Sequence, residues 1–299
     1  MSLRFGIMAL QLGSLIPPGL PSGAVMNHLS TFDHAALVRQ LHGYGFDTIE
    51  LGGDLVLFLP QIFSPGAIES VARLKEEKGI NYTVHLPLWS TEPSTPLEPV
   101  RKGSVEALLE MIQAVSPLDP EVYVLHATGS LAAEFYQMRL PDAAKGLIMR
   151  QFQARALESL RILLAESGVP SRKLAIETVE WPFELTLEMA ERLDLSMCYD
   201  TGHVLVGFSG PVDVFDALDQ CLPRVAEIHL NDGPWQGPDR NIGYGKDHLQ
   251  IGAGDLDAGR LLDTLAVADF LGPVVFELTP SESLASLEYL RRLRPALFA

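Results

Sequence analysis

The sequence has few cysteines, few basic side chains and no long apolar run, and each shortage excludes a class of protein. Only Cys198 and Cys221 occur among 299 residues, which is too few for a disulfide framework. The 22 basic residues stand against 38 acidic ones, and a net charge of −16 lacks the basic footprint that nucleic-acid and anionic-membrane binders need. No apolar run approaches the ~20 residues of a membrane span. We therefore predict a cytoplasmic protein that acts on a small molecule and has no nucleic-acid or membrane partner; composition leaves the oligomeric state open.

The rest of the composition is that of a globular protein, with 47% hydrophobic and 20% charged residues. Short apolar runs recur along the chain, and each is followed by a polar loop and then a helical pattern. Runs of this kind are typical of parallel strands that are buried on both faces. The predicted strands cover residues 3–9, 46–51, 80–85, 122–126, 173–177, 195–200, 225–229 and 274–277. The predicted helices cover residues 32–44, 65–78, 99–115, 143–167, 183–193, 212–221, 257–268 and 282–294.

Eight strand–helix units in 299 residues predict a single α/β domain over residues 1–299, folded as a (β/α)8 barrel. The rival architecture is a doubly wound open sheet, which the lack of a G-x-G-x-x-G pattern after the first strand disfavours. The Pro- and Gly-rich stretches 16–23, 90–99 and 233–245 all follow predicted strands. Loops in that position stand on the C-terminal face of a barrel, where active sites are built, so we expect them to surround the site.

Polar residues end six of the eight predicted strands. They are His85, His126, Glu177, Asp200, His229 and Glu277. Any one of them alone is more often a satisfied strand-end histidine or a capping carboxylate than a ligand. In a barrel, however, the strand ends converge, and three carboxylates in one small volume repel unless a cation neutralises them. Imidazoles and carboxylates together are ligands for Zn²⁺, Mn²⁺ or Fe²⁺, so the pattern predicts a metal site.

Two more histidines are predicted to join this site. His203 lies one turn past the strand that ends at Asp200, and His248 lies in the long loop after the seventh strand. His34 and His42 fall outside the pattern and are assigned to a helix surface.

The residues at the strand ends form a series of short motifs that runs along the whole chain. The motifs are His85-Leu86-Pro87, Leu125-His126, Ile176-Glu177-Thr178, Tyr199-Asp200-Thr201-Gly202-His203, Ile228-His229-Leu230-Asn231-Asp232, His248 with Gly252 and Gly254, and Phe276-Glu277. In this order they resemble the xylose isomerase-like barrel superfamily, which includes the type IV AP endonucleases (AP endonuclease family 2) and the sugar and sugar-phosphate isomerases and epimerases.

The resemblance implies a set of metal ligands. The positions common to the superfamily are Glu177, Asp200, His229 and Glu277, and the endonuclease branch adds His85, His126, His203 and His248. Where that branch has an Asp two residues before the last histidine, this chain has Lys246, although the adjacent Asp247 offers a substitute with different geometry. This departure favours one or two ions of Mn, Zn or Fe over three.

Four further stretches, residues 54–58, 82–88, 117–120 and 181–184, resemble the cobamide-remodelling phosphodiesterases of the same superfamily. That resemblance implies hydrolysis of the phosphodiester in the nucleotide loop of a corrinoid.

Aromatic and basic residues in the loops after the strands are candidates for substrate binding. Trp89, Trp181 and Trp235 would form a broad apolar pocket mouth, or would pack the loops onto the barrel. The basic residues of the same predicted face, Arg139, Arg240 and Lys246, would hold a phosphate, or would be solvated loop charges.

These residues leave two main functions open. In a phosphodiesterase, Glu177 would bridge two ions, with His85 and His126 on the first and Glu277 or Asp200 on the second. In an isomerase or epimerase, one ion would suffice, and Glu177 and Glu277 would be the catalytic general bases. The net charge disfavours an AP endonuclease, and the presence of all four common ligands disfavours a non-catalytic metal-dependent binding protein.

Overall fold

Eight parallel strands form a closed barrel at the centre of the computed structural model, which describes residues 3–8, 16, 19–235 and 245–298. The strands are β1 (Arg4–Ile7), β2 (Thr48–Gly52), β3 (Asn81–His85), β4 (Tyr123–Leu125), β5 (Leu174–Glu177), β6 (Ser196–Asp200), β7 (Val225–His229) and β8 (Pro273–Phe276). They pair in chain order, and β1 closes the ring against β8, with Ile7 beside Phe276. The closed ring confirms the predicted (β/α)8 barrel and excludes the open sheet.

Helices follow the strands and surround the barrel. They are α1 (Ser22–Ser30), α2 (His34–Gly43), α3 (Pro65–Lys78), α4 (Glu98–Val115), α5 (Ser130–Gln137), α6 (Asp142–Ser167), α7 (Phe183–Leu193), α8 (Thr201–Leu205), α9 (Val214–Cys221), α10 (Ala258–Val267) and α11 (Pro280–Leu293). All eight predicted helices are present, and α1, α5 and α8 are additional. Within the described ranges, no helix has both the length and the apolar character needed to cross a lipid bilayer.

Strand residues alternate between the helices outside the barrel and the interior of the barrel. Tyr82 is fully buried and its hydroxyl donates to a backbone carbonyl of α3, whereas Ala175 and Cys198 pack together inside the ring. Glu177 and Asp200 lie two positions after these two interior residues and therefore face the same side. The alternation that fills the barrel with small apolar side chains thus directs the polar strand ends toward its axis.

His34 is buried at the start of α2, so its assignment to a helix surface is wrong. Its exposed fraction is 5%, and its ring packs edge-on against Phe63 with centroids 6.3 Å apart. Burial lowers the pKa of His34 to about 4, although the backbone of Ile62 and the charge of Asp33 partly oppose that shift. The segment that covers the ring is about 30 residues further along the chain, which is why local sequence does not reveal the burial.

Acid is expected to destabilise the fold through His34. Its folded pKa lies below its unfolded value, so the unfolded chain binds the proton more readily, and the contribution to stability is lost as the pH falls from about 6.5 toward 4. From about pH 7 to about pH 5, a His34→Gln variant should lose about 2 kcal/mol less free energy of unfolding than the wild type. Urea unfolding at the two pH values measures this difference, and equal losses would contradict the assignment.

Candidate metal centre

The structure brings all eight predicted metal ligands together at the C-terminal end of the barrel. Strands β3, β5, β6 and β7 end in four of them, and two more directly follow β4 and β8. His203 lies in α8, and His248 lies in the loop that precedes α10. The ligand atoms form three groups, each within 4.8 Å: His85, His126 and Glu177; Glu177, Asp200, His229 and Glu277; and Asp200, His203 and His248. The groups share Glu177 and Asp200, so they form one continuous cluster.

The two carboxylate oxygens of Glu177 face different groups. Its Oε2 lies 3.0 Å from Nε2 of His85 and 2.7 Å from Nε2 of His126. Its Oε1 lies 3.1 Å from Nδ1 of His229 and 3.5 Å from Nδ1 of His203. A carboxylate in this position can bridge two ions, one through each oxygen.

Asp200 is oriented by hydrogen bonds on both of its oxygens. Its Oδ1 accepts the backbone N–H of His203 at 2.7 Å and thereby caps α8, and its Oδ2 accepts the side-chain amide of Asn231 at 2.7 Å. The same amide lies 3.3 Å from Glu277. Asn231 therefore ties two candidate ligands together, a role that its place in the sequence motif does not reveal.

Asp247 lies beside the third ligand group. The sequence suggests this place for it, because Asp247 is adjacent to Lys246, where the endonuclease branch has an Asp. Its Oδ2 is 2.7 Å from Nδ1 of His248 and 3.7 Å from Nε2 of His203. The Asp247 carbonyl packs so closely over Gly202 that a Cβ there would lie 1.8 Å from the oxygen. Glycine at this position allows the loop to bring Asp247 and His248 over the site.

Burial and neighbouring charges act against each other on the ionisation of the site. Burial raises the pKa of Glu177, but the charges and hydrogen bonds of His126 and His229 outweigh it and hold that pKa well below its usual range. Burial lowers the pKa of His85, yet the hydrogen bond to Glu177 raises it to about 9. Burial also raises the pKa of Asp200, despite the nearby charges of His203 and His248. His126 differs from His85, because burial lowers its pKa despite the nearby charge of Glu177.

Two buried carboxyl groups that were not predicted as site residues lie inside the barrel, below the ligands. Glu50 of β2 and Glu227 of β7 form a further group with His229, within 4.8 Å. Burial and the charge of Glu50 raise the pKa of Glu227 well above its usual value. The sequence signal that could have identified Glu227 was its two-residue spacing from His229, because alternate residues of a strand face the same side.

The predicted substrate-binding residues that the structure describes differ in exposure. Trp181 is fully buried and packs against Phe152 and Tyr136. Its predicted place at a pocket mouth is therefore wrong, and the alternative prediction, that it packs a loop onto the barrel, agrees with the structure. Trp89 is 56% exposed and meets Phe58 edge to face, and Trp235 is 60% exposed. Exposed side chains also occur at Arg139 and Lys246, while Arg240 lies outside the described residues.

A cleft of about 180 Å³ opens beside the metal ligands. It is lined by Leu88, His126, Thr128, Gly129, Ser130, Ala133, Val179, Glu180, His203 and Phe208. Two ligand histidines therefore form part of its wall. A substrate bound here would contact the metal centre directly.

Solved structures with the same fold cover almost the whole chain. A D-tagatose 3-epimerase-like protein superposes with a TM-score of 0.71 at 18% identity, covering 99% of this chain and 98% of that one. Endonuclease IV from Thermus thermophilus matches at 0.65 and 19%, covering 99% and 100%. A D-psicose 3-epimerase with D-tagatose from Clostridium cellulolyticum matches at 0.67 and 14%, covering 97% and 99%. At these identities the likeness shows the fold.

Sequence comparison identifies the family. An uncharacterized protein of Methanocaldococcus jannaschii is 22% identical over 218 residues, which cover 72% of this chain and 70% of that protein. The model of the xylose isomerase-like TIM barrel family matches residues 38–293, which is most of the chain. Together with the closed barrel, this match shows that the chain belongs to the xylose isomerase-like TIM barrel family.

Proposed function

We propose that this protein is a divalent-metal-dependent hydrolase that cleaves a phosphodiester in a small-molecule substrate. The observation that carries the proposal is the arrangement of Glu177, whose two oxygens face two different sets of histidines. Adjacent ions that share a carboxylate are typical of enzymes that displace an oxygen at phosphorus.

The residues present fit such ions chemically. Imidazole nitrogens and carboxylate oxygens are the donors that Zn²⁺, Mn²⁺ and Fe²⁺ prefer. Glu177, Asp200 and Glu277 are at least nine-tenths buried, and carboxylates so close together need positive charge among them. His85 presents Nε2 to the site, since its Nδ1 lies 2.9 Å from the carbonyl of Leu86, to which it would donate.

The first two ligand groups would hold two ions, and the third group, with Asp247 beside it, would hold a further ion or the substrate phosphate. When bound, the ions would polarise a phosphoryl oxygen and lower the pKa of water toward ~7. Glu177 would contact both ions and so fix the distance between them. The Leu86 carbonyl would orient the His85 ring. Asn231 would keep Asp200 and Glu277 aligned through its amide hydrogens.

A corrinoid nucleotide loop is the substrate that we propose, on the basis of the resemblance to cobamide-remodelling phosphodiesterases. A corrinoid is large and flat, and the exposed Trp89–Phe58 pair offers an apolar surface for such a ligand. Trp235, Arg139, Lys246 and Arg240 stay candidates for contacts with the substrate. Cytoplasmic location and the lack of nucleic-acid and membrane partners stay predictions from composition.

A sugar isomerase or epimerase is the second candidate, and the names of the structural neighbours favour it over the hydrolase. One observation in the site agrees with it, because Glu177 and Glu277 lie on either side of Nδ1 of His229, at 3.1 and 3.3 Å. Two carboxylates around one ion could exchange a substrate proton. This chemistry uses a single ion and has no need of His85 and His126.

Metal content and turnover in a His85→Ala variant separate the two functions. For a hydrolase, protein purified without chelator should carry at least two ions per chain, release a riboside from a corrinoid and cleave bis(p-nitrophenyl) phosphate. The variant should lose one ion and most of the turnover, while a His42→Ala control on α2 should keep both. A single ion that survives His85→Ala, together with epimerisation of ketohexoses, would replace the hydrolase with the epimerase.

A further inference from the structure

His229 has a carboxylate partner on the side of its ring that faces away from the predicted ligands. Its Nδ1 lies among carboxylates of the site, 3.1 Å from Glu177 and 3.3 Å from Glu277. Its Nε2 lies 3.1 Å from Oε2 of Glu50, in the layer below. The ring therefore joins the metal centre to the barrel interior.

Glu50 is placed in that layer by its strand. It pairs in register with Thr83, and it is 2% exposed, as an ordinary barrel-interior side chain would be. A buried carboxylate costs free energy unless a donor or a positive charge faces it. Within the part of the chain that the structure describes, neither Glu50 oxygen receives a well-aligned hydrogen bond, and the group that faces the carboxylate as a potential cation is the His229 ring.

A metal-binding histidine must present one nitrogen without a proton and keep the proton on the other. His85 and His203 each have one nitrogen 2.9 Å from a backbone carbonyl, which selects the tautomer. For His229 the group in the corresponding place is Glu50, whose Oε2 lies 3.1 Å from Nε2 without a well-aligned hydrogen bond. A small rotation of the ring or the carboxylate would align Nε2–H with Oε2, as happens when loosely aligned site contacts tighten on binding.

We propose that Glu50 is a positioning residue that keeps the proton of His229 on Nε2 and thereby orients Nδ1 to bind a divalent ion. This inference rests on the metal centre of the proposed function, and it holds for a hydrolase and an epimerase alike. Glu50 touches neither substrate nor ion. Its negative charge also makes the imidazole a stronger donor to the ion.

Glu227 provides a matched control, because it lies in the same layer and is also fully buried. Its Oε1 accepts a hydrogen bond from Thr83 at 2.9 Å, and the structure gives it no ion pair with a His229 nitrogen within the described residues. Glu227→Gln therefore removes a buried carboxyl group of the same kind while leaving the partner of His229 in place. Glu50→Gln keeps an acceptor oxygen for Nε2–H and removes the charge, whereas Glu50→Leu removes both.

The test measures Zn²⁺ affinity of the full chain by competition with a chromophoric chelator. Glu50→Leu should weaken binding by about 10- to 100-fold, Glu50→Gln should recover part of that loss, and Glu227→Gln should weaken binding less than Glu50→Leu does. In ¹⁵N-labelled, Zn²⁺-loaded protein, the His229 ring should show a protonated Nε2 in the wild type and lose that signature in Glu50→Leu.

Two results would overturn the proposal in different ways. Equal Zn²⁺ affinity in Glu50→Leu and Glu227→Gln, with an unchanged His229 tautomer, would remove the role of Glu50 and leave the metal centre standing. A wild type that retains no Zn²⁺, Mn²⁺ or Fe²⁺ would refute the metal centre itself, and the role of Glu50 with it.

Discussion

A Glu177→Gln variant is expected to lose turnover by about a thousandfold or more, because bound ions supply several kcal/mol of transition-state stabilisation. Glu177 is shared by two of the three ligand groups, so the substitution weakens both. Gln has the same shape but is neutral, and its amide nitrogen cannot bind an ion. His126 and His229, which lie 2.7 and 3.1 Å from the Glu177 oxygens, would also lose the carboxylate that they contact.

Metal content and turnover should be measured on the same preparations of Glu177→Gln. The variant should retain fewer ions per chain than the wild type, whereas Glu184→Gln, on the exposed face of α7, should match the wild type in both measurements. Circular dichroism and a thermal melt would verify that the barrel remains folded. Full metal content and normal turnover in Glu177→Gln would contradict the central role of this carboxylate.

An Asp232→Ala variant is expected to lose about 4 kcal/mol or more of unfolding free energy. Asp232 is fully buried just after β7, and its carboxylate accepts four backbone N–H groups at 2.8–2.9 Å. The donors belong to Gly233, Gly252, Gly254 and Leu256. The bonds from Gly233 and Leu256 are buried, and those from Gly252 and Gly254 are partly buried. A buried donor that loses its acceptor costs about 1–3 kcal/mol, so the two buried donors supply most of the expected loss.

The same carboxylate also supports the metal centre, because it organises the loop that carries His248. The backbone of Asp232 exchanges two hydrogen bonds with Leu249, the residue after His248. A Cβ at Gly254 would lie 2.4 Å from Asp232 Oδ1, so glycine is required for the close approach. Loss of the carboxylate should therefore reduce metal retention as well as stability.

Urea unfolding of the metal-free protein isolates the stability effect of Asp232→Ala. Asp255 lies in the same loop and, among the residues that the structure describes, accepts one backbone hydrogen bond, from Trp235 at 2.9 Å, so Asp255→Ala should cost about 1 kcal/mol or less. A similar loss in the two variants would show that the four hydrogen bonds of Asp232 are not what stabilises this loop.

Strand positions were the most predictable feature, because buried parallel strands are short, apolar and bounded by polar residues. Six of the eight candidate metal ligands followed from one further rule, namely that the C-terminal ends of barrel strands converge. His203 and His248 were added from their places after the sixth and seventh strands and from the family resemblance. Asp247 was recognisable as a candidate substitute ligand from its place beside Lys246. Its distance to His248 could not be predicted from the sequence. Period-two spacing could have revealed Glu227, but a single acidic residue within a strand more often faces solvent or an ion-pair partner than a metal site.

Other features depend on contacts between distant segments. Trp181 and His34 have aromatic rings that carry a polar N–H group, and such rings occur both at the surface and in the core. Both are buried here because rings from distant segments, Phe152 and Phe63, pack against them. Glu50 and His229 are 179 positions apart, and their contact exists because β2 and β7 face the same barrel interior.

Local sequence was sufficient for the order of strands and helices and for the polar residues at the strand ends that are candidate metal ligands, since periodicity and residue type act over a few neighbouring positions. Closure of the barrel decided which histidines contact the same carboxylate and which nitrogen of each histidine faces the candidate metal centre. It also decided which aromatic rings are buried. Those outcomes depend on side chains that meet across the ring from strands far apart in the chain. A short stretch of sequence does not specify the distance in space between such residues.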